Sequence, residues 1–153
     1  MQILGIRTAP TSIRYAILEC NGDKPVFINA DSENKIDFPA DYRNVEQKLR
    51  WLYQELERVL RKYPGIAHMA IKANEYGRGG ETASSREAAY LDAAVLMVAG
   101  ENTIPVSVKL YRSIGTRRNE VKSFAESSVS ASTLYWNEQM ADAVAAAWSE
   151  REK

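Results

Sequence analysis

The sequence predicts an α/β fold: a mixed β-sheet, with a three-strand antiparallel meander and parallel strands, flanked by helices on both faces. Three observations lead to it. Residues 3–28 hold three strand-forming runs separated by turn signals, the pattern of consecutive hairpins. Helical and strand patterns then alternate, which calls for βα crossovers and parallel pairing. No repeat, low-complexity tract or linker interrupts the order βββαβαβα, to which one short extra helix is added. Residues 1–153 therefore read as a single domain.

Each element has a local reason. Ile3, Leu4 and Ile6 form an apolar run that ends in the turn cluster Thr8–Ser12. Ile13 to Glu19 is rich in strand formers, Asn21-Gly22-Asp23 is a second turn signal, and Val26-Phe27-Ile28 supplies a third strand. Val45, Leu49, Leu52, Leu56, Val59, Leu60 and Tyr63 recur at helical spacing, with Asp41 as the expected N-cap and Pro64-Gly65 as the stop. Ile66 to Ile71 reads as a buried strand, followed by an irregular glycine-bearing loop from Asn74 to Gly80. Ser84 and Glu87 have capping-box spacing and open a helix expected to end at Gly100. That helix is apolar all round from Ala88 to Ala99 except for Asp92, so it needs cover on more than one side. Ile104 to Tyr111 reads as a strand, Thr116 to Ala125 as a short basic helix, and Leu134 to Glu150 as a final helix.

Composition removes several function classes. Twenty basic residues balance twenty acidic ones, so net charge offers no argument for a nucleic-acid partner. A single cysteine, Cys20, excludes an intrachain disulfide framework and a thiolate zinc site. A single histidine, His68, argues against a histidine-rich metal site or a Ser-His-Asp triad. No apolar run reaches membrane-spanning length, and the N-terminus lacks the layout of a signal peptide. A soluble cytoplasmic protein with no membrane partner is the expectation.

Three stretches resemble one family. Ile3-Leu4-Gly5-Ile6-Arg7-Thr8-Ala9 looks like the opening strand of the RuvC branch of the RNase H-like fold, the Holliday-junction resolvases. Met69-Ala70-Ile71-Lys72, followed by its glycine-bearing loop and alanine-rich helix, resembles that family's fourth strand. Met140-Ala141-Asp142-Ala143-Val144-Ala145-Ala146-Ala147 resembles its last helix. The resemblance covers nearly the whole chain. It implies phosphodiester hydrolysis with two metal ions, which activate water and stabilise the leaving oxygen, held by converging carboxylates.

The residues at those positions depart from that chemistry. The family ends its first strand in aspartate, where this chain has Arg7. It ends the fourth in glutamate, where this chain has Lys72. The earlier acid of the helical pair falls on Gln139, and only Asp142 remains. Two cations would repel Mg²⁺ where the family attracts it. The expectation is a catalytically degenerate domain without a metal or other cofactor, with Arg7, Lys72 and Gln139 marking the altered site. Arg7 and Lys72 could instead pair with Asp142 and tie the central strands to the last helix. An active nuclease would need a rebuilt acidic site from Glu75, Glu138 and Asp142, with Glu19 a further acid, and would take Mg²⁺ or Mn²⁺.

A second feature is independent of those acids. Residues 102–125 hold Lys109, Arg112, Arg117, Arg118 and Lys122 against one acid, Glu120, for a formal charge of +4. With Arg78 from the glycine-bearing loop, these are the candidate nucleic-acid-binding residues, and Tyr111 could stack on a base. The bland reading is a solvated strand-to-helix connection. Gly77 to Thr82 lacks the Lys-Ser/Thr ending of a Walker loop. Cys20 and His68 read as core or edge residues, and Trp51, Trp136 and Trp148 as packing anchors.

The expected function is a binding module for nucleic acid (DNA or RNA) or for a protein partner. The active nuclease is one alternative, and a homo-oligomeric interaction module with no nucleic-acid role is another. A homodimer through the helix spanning 85–99 is expected from Tyr90, Leu91, Val95, Leu96, Met97 and Val98, which cannot all face one sheet. The competing explanation is that the helix from Tyr42 to Lys62 covers the outer face within one chain.

Overall fold

A computed structural model describes residues 1–77 and 79–152. Its strands are β1 (Gln2–Thr8), β2 (Ser12–Glu19), β3 (Val26–Phe27), β4 (Lys35–Asp37), β5 (Ile66–Lys72) and β6 (Val106–Lys109). Its helices are α1 (Val45–Lys62), α2 (Ala83–Glu101), α3 (Tyr111–Ile114), α4 (Val121–Ser128) and α5 (Glu138–Trp148). The strands form one mixed sheet in the order β3-β2-β1-β5-β6, with β4 also paired to β2. β1, β2 and β3 make the expected antiparallel meander, while β1–β5 and β5–β6 are parallel.

Strand alternation sorts the two faces. Leu4 and Ile6 of β1, Tyr15 and Ile17 of β2, and Met69 and Ile71 of β5 pack beneath α1 and α2. Ile3, Ala16, Leu18 and Ala70 face the opposite way, toward α4 and α5. Helices thus cover both faces, and the central strands are buried on both sides, which explains why β1 and β5 read as apolar runs rather than alternating ones.

α5 lies unusually close to the sheet. Every residue from Met140 to Ala147 is buried, and the small side chains let its backbone approach β1. A Cβ added at Gly5 would sit 2.0 Å from the Ala143 carbonyl oxygen and 2.8 Å from the Ala147 Cβ. Gly5 and the alanines of α5 form one complementary contact.

Several boundaries differ from the sequence reading. α1 begins after Asn44 rather than Asp41; the Asn44 backbone N–H donates to the Gln47 side chain. α2 is capped by Thr82, whose hydroxyl accepts from the Ser85 N–H at 3.1 Å. Ser84 is exposed and Glu87 instead pairs with Lys48 at 2.8 Å. The helix runs through Gly100 to Glu101, since Asn102 caps its end by donating to the Val98 carbonyl. Tyr111 belongs to α3, not to the preceding strand, and the basic helix starts at Val121. α5 starts at Glu138, because Asn137 accepts from the Met140 N–H, and leaves Leu134 exposed outside the helix. β4, held to β2 through Ile13 and Ile36, was not foreseen. Among the described residues no helix is long and apolar enough to cross a membrane.

Candidate functional site

β1 and β5 end side by side. Ile6 lies opposite Ile71, so Arg7 and Lys72 follow on neighbouring strands and share the face covered by α5. Arg7 is 7% exposed and Lys72 1%. Burying two neighbouring cations requires partners for both.

Arg7 finds its partner on α5. Its Nε donates to Oδ2 of Asp142 at 3.0 Å, and its Nη2 donates to Oδ1 of Asn74 at 2.9 Å. The Tyr111 hydroxyl donates to the other oxygen, Oδ1 of Asp142, at 2.7 Å. Both carboxylate oxygens are therefore occupied. Asp142 has no solvent exposure, and burial pushes its carboxyl up against the opposing pull of Tyr111 and Arg7.

Lys72 pairs elsewhere. Its Nζ is 2.8 Å from Oε2 of Glu75, donates to the Ala73 carbonyl, and lies 3.7 Å from the centroid of the Tyr111 ring. Burial draws its ammonium below the usual lysine range. Glu75 also accepts from the Tyr111 backbone N–H at 2.9 Å, and the Lys72 bond holds its carboxyl below the usual range against burial. Tyr111 joins the two ion pairs: its hydroxyl bonds Asp142, its ring faces Lys72, and its N–H bonds Glu75. A buried acid borders this cluster. Asp92 of α2 accepts from the Thr8 hydroxyl at 2.6 Å, and burial pushes it up to about 6.

The candidate acids do not converge on one point. Glu138 pairs with Arg118 at 3.6 Å. Glu19 bonds the N-terminal amine at 2.7 Å, at the opposite end of the β1–β2 pair from Arg7. Among the described residues no three His, Cys, Asp or Glu side chains lie close enough to hold a metal ion. The residues where the resemblance places a metal site do not fit a divalent cation: two are cations, and the remaining carboxylate is bonded on both oxygens. Gln139 accepts from Nη1 of Arg14, the residue paired with Arg7 across β1 and β2.

The basic stretch divides. Arg112, Arg117 and Lys122 are exposed on α3, α4 and the turn between them. Arg118 bridges toward the cluster by donating to the Glu75 carbonyl at 2.9 Å. Lys109 lies apart from that surface: it is half-buried and pairs with Glu150 at 2.6 Å. Arg78 lies outside the described residues. Tyr111 is buried rather than offered to a base. Sequence reasoning missed one site residue, Arg14, which carries no motif. Tyr111 reads from the sequence as a base-stacking aromatic at the end of a strand, and instead joins the buried cluster through Asp142.

No family model matches the sequence, and a comparison with curated proteins finds no match. Solved structures do match. RuvC from Thermus thermophilus superimposes with a TM-score of 0.76 at 16% identity, over 97% of this chain and 92% of that one. The chain has the RuvC fold. The same enzyme in complex with a Holliday-junction substrate gives a TM-score of 0.75 at 16% identity and the same coverage. The yeast mitochondrial Holliday-junction resolvase Ydc2 gives 0.62 at 12% identity, over 97% of this chain and 80% of that one. Within the RuvC fold, Arg7, Lys72 and Asp142 sit on its central strands and last helix, and the ion-pair cluster joins those elements through charge and hydrogen bonds.

Proposed function

We propose that the chain is a RuvC-fold domain that does not hydrolyse phosphodiesters and acts by binding nucleic acid. One observation carries the first half: the buried Arg7–Asp142 pair, reinforced by Tyr111, where resolvase chemistry would need clustered acids. A site rebuilt from Glu75, Glu138 and Asp142 would have to break the pairs that each makes with Lys72, Arg118 and Arg7. The exposed cations Arg112, Arg117 and Lys122, with Arg118 beside Glu75, support the second half. Such a surface tracks a phosphate backbone without sequence preference. A structural neighbour captured with a four-way junction supports the same reading.

The test has two arms. Purified protein should leave branched, duplex and single-stranded DNA and RNA intact with Mg²⁺ or Mn²⁺. Cleavage that vanishes in Asp142→Ala would overturn the inactive reading. The same substrates should bind, and Arg117→Glu with Arg118→Glu should weaken binding for every sequence and flatten its salt slope by about 1–2 units. Unchanged affinity and slope would remove the basic surface.

A specific observation favours a second reading, a self-associating domain. α1 packs against α2, so Leu91, Val95 and Val98 are buried within the chain. Tyr90, Leu96 and Met97 remain 49%, 40% and 61% exposed. An open groove of about 550 Å³ between the two helices is lined by Leu49, Tyr53, Ala93 and Met97. A homodimer through α2 would cover this surface.

A further inference from the structure

Arg14 is a cation without an anion. It projects from β2 beside Arg7, its partner in the β1–β2 register. Arg7 has Asp142. Among the described residues no carboxylate lies within ion-pair distance of Arg14. Its bonds all leave from one nitrogen: Nη1 donates to the Ser12 hydroxyl at 2.8 Å and to the Gln139 side-chain oxygen. Those two acceptors fix the plane of the guanidinium. Nε is buried and has no hydrogen-bond partner among the described residues. Nη2 also makes no hydrogen bond among the described residues and is the nitrogen left to donate to an oxyanion.

Arg14 lines a polar cleft of about 640 Å³, together with Thr11 of the β1–β2 turn, Ser84 in the first turn of α2, and Asn137, Glu138 and Gln139 at the start of α5. Thr11, Ser84 and the Asn137 amide add neutral donors, and the first turns of both helices contribute positive potential. The cleft has nucleotide-scale volume. Its carboxylate, Glu138, faces Arg118, and Asp37, which acts on Arg14 from β4, pairs with Lys35 at 3.1 Å. A planar carboxylate would use only the guanidinium. A phosphoryl group has a further oxygen for the hydroxyl and amide donors across the cleft.

We infer that this cleft binds a phosphoryl oxyanion, with Nη2 of Arg14 as its principal donor and Ser12 and Gln139 as the residues that position it. Burial and the neighbouring Arg7 charge hold the Arg14 guanidinium below its usual range, a cost that a bound anion offsets. Only the identity of the carrier, a nucleic-acid strand rather than a mononucleotide, rests on the function proposed above.

Arginine Nε–H resonances read the site directly. Inorganic phosphate, adenosine 5′-monophosphate, adenosine, and an oligonucleotide with and without a 5′-phosphate are titrated in turn. Phosphate and the monophosphate should shift the Arg14 Nε–H saturably, and adenosine should not. Arg14→Gln, which can still bond Ser12, should weaken monophosphate binding about tenfold to a hundredfold. Ser84→Glu, at an exposed position where an acid suits the first helical turn, should do the same by repulsion without unfolding the chain. No saturable shift with phosphate or monophosphate, or equal affinity in both variants, overturns the inference. Oligonucleotide binding that depends on Arg117 and Arg118 alone would overturn it too, while leaving the nucleic-acid reading intact. Phosphate and monophosphate binding without any oligonucleotide binding would support the cleft and reject the strand as its carrier.

Discussion

Gly5→Ala tests the contact on which the cluster depends. The added Cβ would lie 2.0 Å from the Ala143 carbonyl oxygen, and an ordinary contact needs about 3.4 Å, so α5 must withdraw by about 1.4 Å. The obstacle is helix backbone rather than a side chain that can turn aside. Asp142 sits one residue before Ala143, and its Oδ2 is 3.0 Å from the Arg7 Nε. A withdrawal of that size takes the pair beyond hydrogen-bonding distance. Overpacking alone costs about 1–3 kcal/mol, and separating a buried pair costs about 3–5 kcal/mol. The two losses share one displacement, so they do not simply add. We expect a fall of about 3–5 kcal/mol in unfolding free energy, measured by urea denaturation as a lower midpoint at unchanged slope. Gly100→Ala is the control. It lies in α2 with open space around the new methyl, and should stabilise by about 0.5–1 kcal/mol. A Gly5→Ala variant within about 0.5 kcal/mol of the parent would refute the close packing of α5 on β1 and its link to the Arg7–Asp142 pair.

Three further outcomes follow from the same structure. Asp142→Leu should destabilise by about 3–5 kcal/mol because it strands Arg7, while Arg7→Met with Asp142→Leu should recover most of the loss; a double variant no better than the single would show that the pair is not the reason. Asp92 is raised to about 6 from 3.8, so between those values the folded state binds more protons than the unfolded state, and the group's contribution to stability falls as pH rises from about 4 to 6. The advantage of Asp92→Asn over the parent should therefore grow by about 2–3 kcal/mol across that window and then level off, and a pH-independent difference would reject the buried-acid assignment. Leu96→Glu with Met97→Glu should convert a dimer to a folded monomer by light scattering at micromolar concentration, whereas a parent that is already monomeric would reject α2 as an interface.

The layout of the sheet was legible because strand formers, turns and helical spacing are local signals. Ile3 to Ile6 and Ile66 to Ile71 had to be central strands, and they are neighbours. Short elements escaped: Lys35-Ile36-Asp37 carries one apolar residue, too little to announce β4. The caps lie three and two residues from the expected ones, because Asp41 and Ser84 are as competent chemically as Asn44 and Thr82. The site was harder. Arg7, Lys72, Gln139 and Asp142 could be singled out, but not their partners. Lys72 turned to Glu75, Gln139 to Arg14, and Lys109 to Glu150. Tyr111 reads as a strand aromatic, and only the docking of α3 beside α5 brings its hydroxyl to Asp142. Apart from Lys72 and Glu75, these contacts join residues far apart in sequence, which leaves no periodic trace.

The placement of α5 sets a timetable for synthesis. β1 leaves the ribosome before every other strand, yet its Gly5 face and the Arg7 guanidinium are completed by a helix that follows all the other elements. Until that helix emerges, a growing chain can pair β1, β2 and β5 and cover one side of the sheet with α1 and α2, but the other side stays wet. The nascent protein thus carries an open apolar face beside Arg7, whose partner Asp142 has yet to be made. Lys72 is matched earlier, because Glu75 follows it by three residues. One unpaired cation beside the uncovered face works against its association with other unfinished chains. The guanidinium that is neutralised in the finished site would then serve first as guard of an unfinished one.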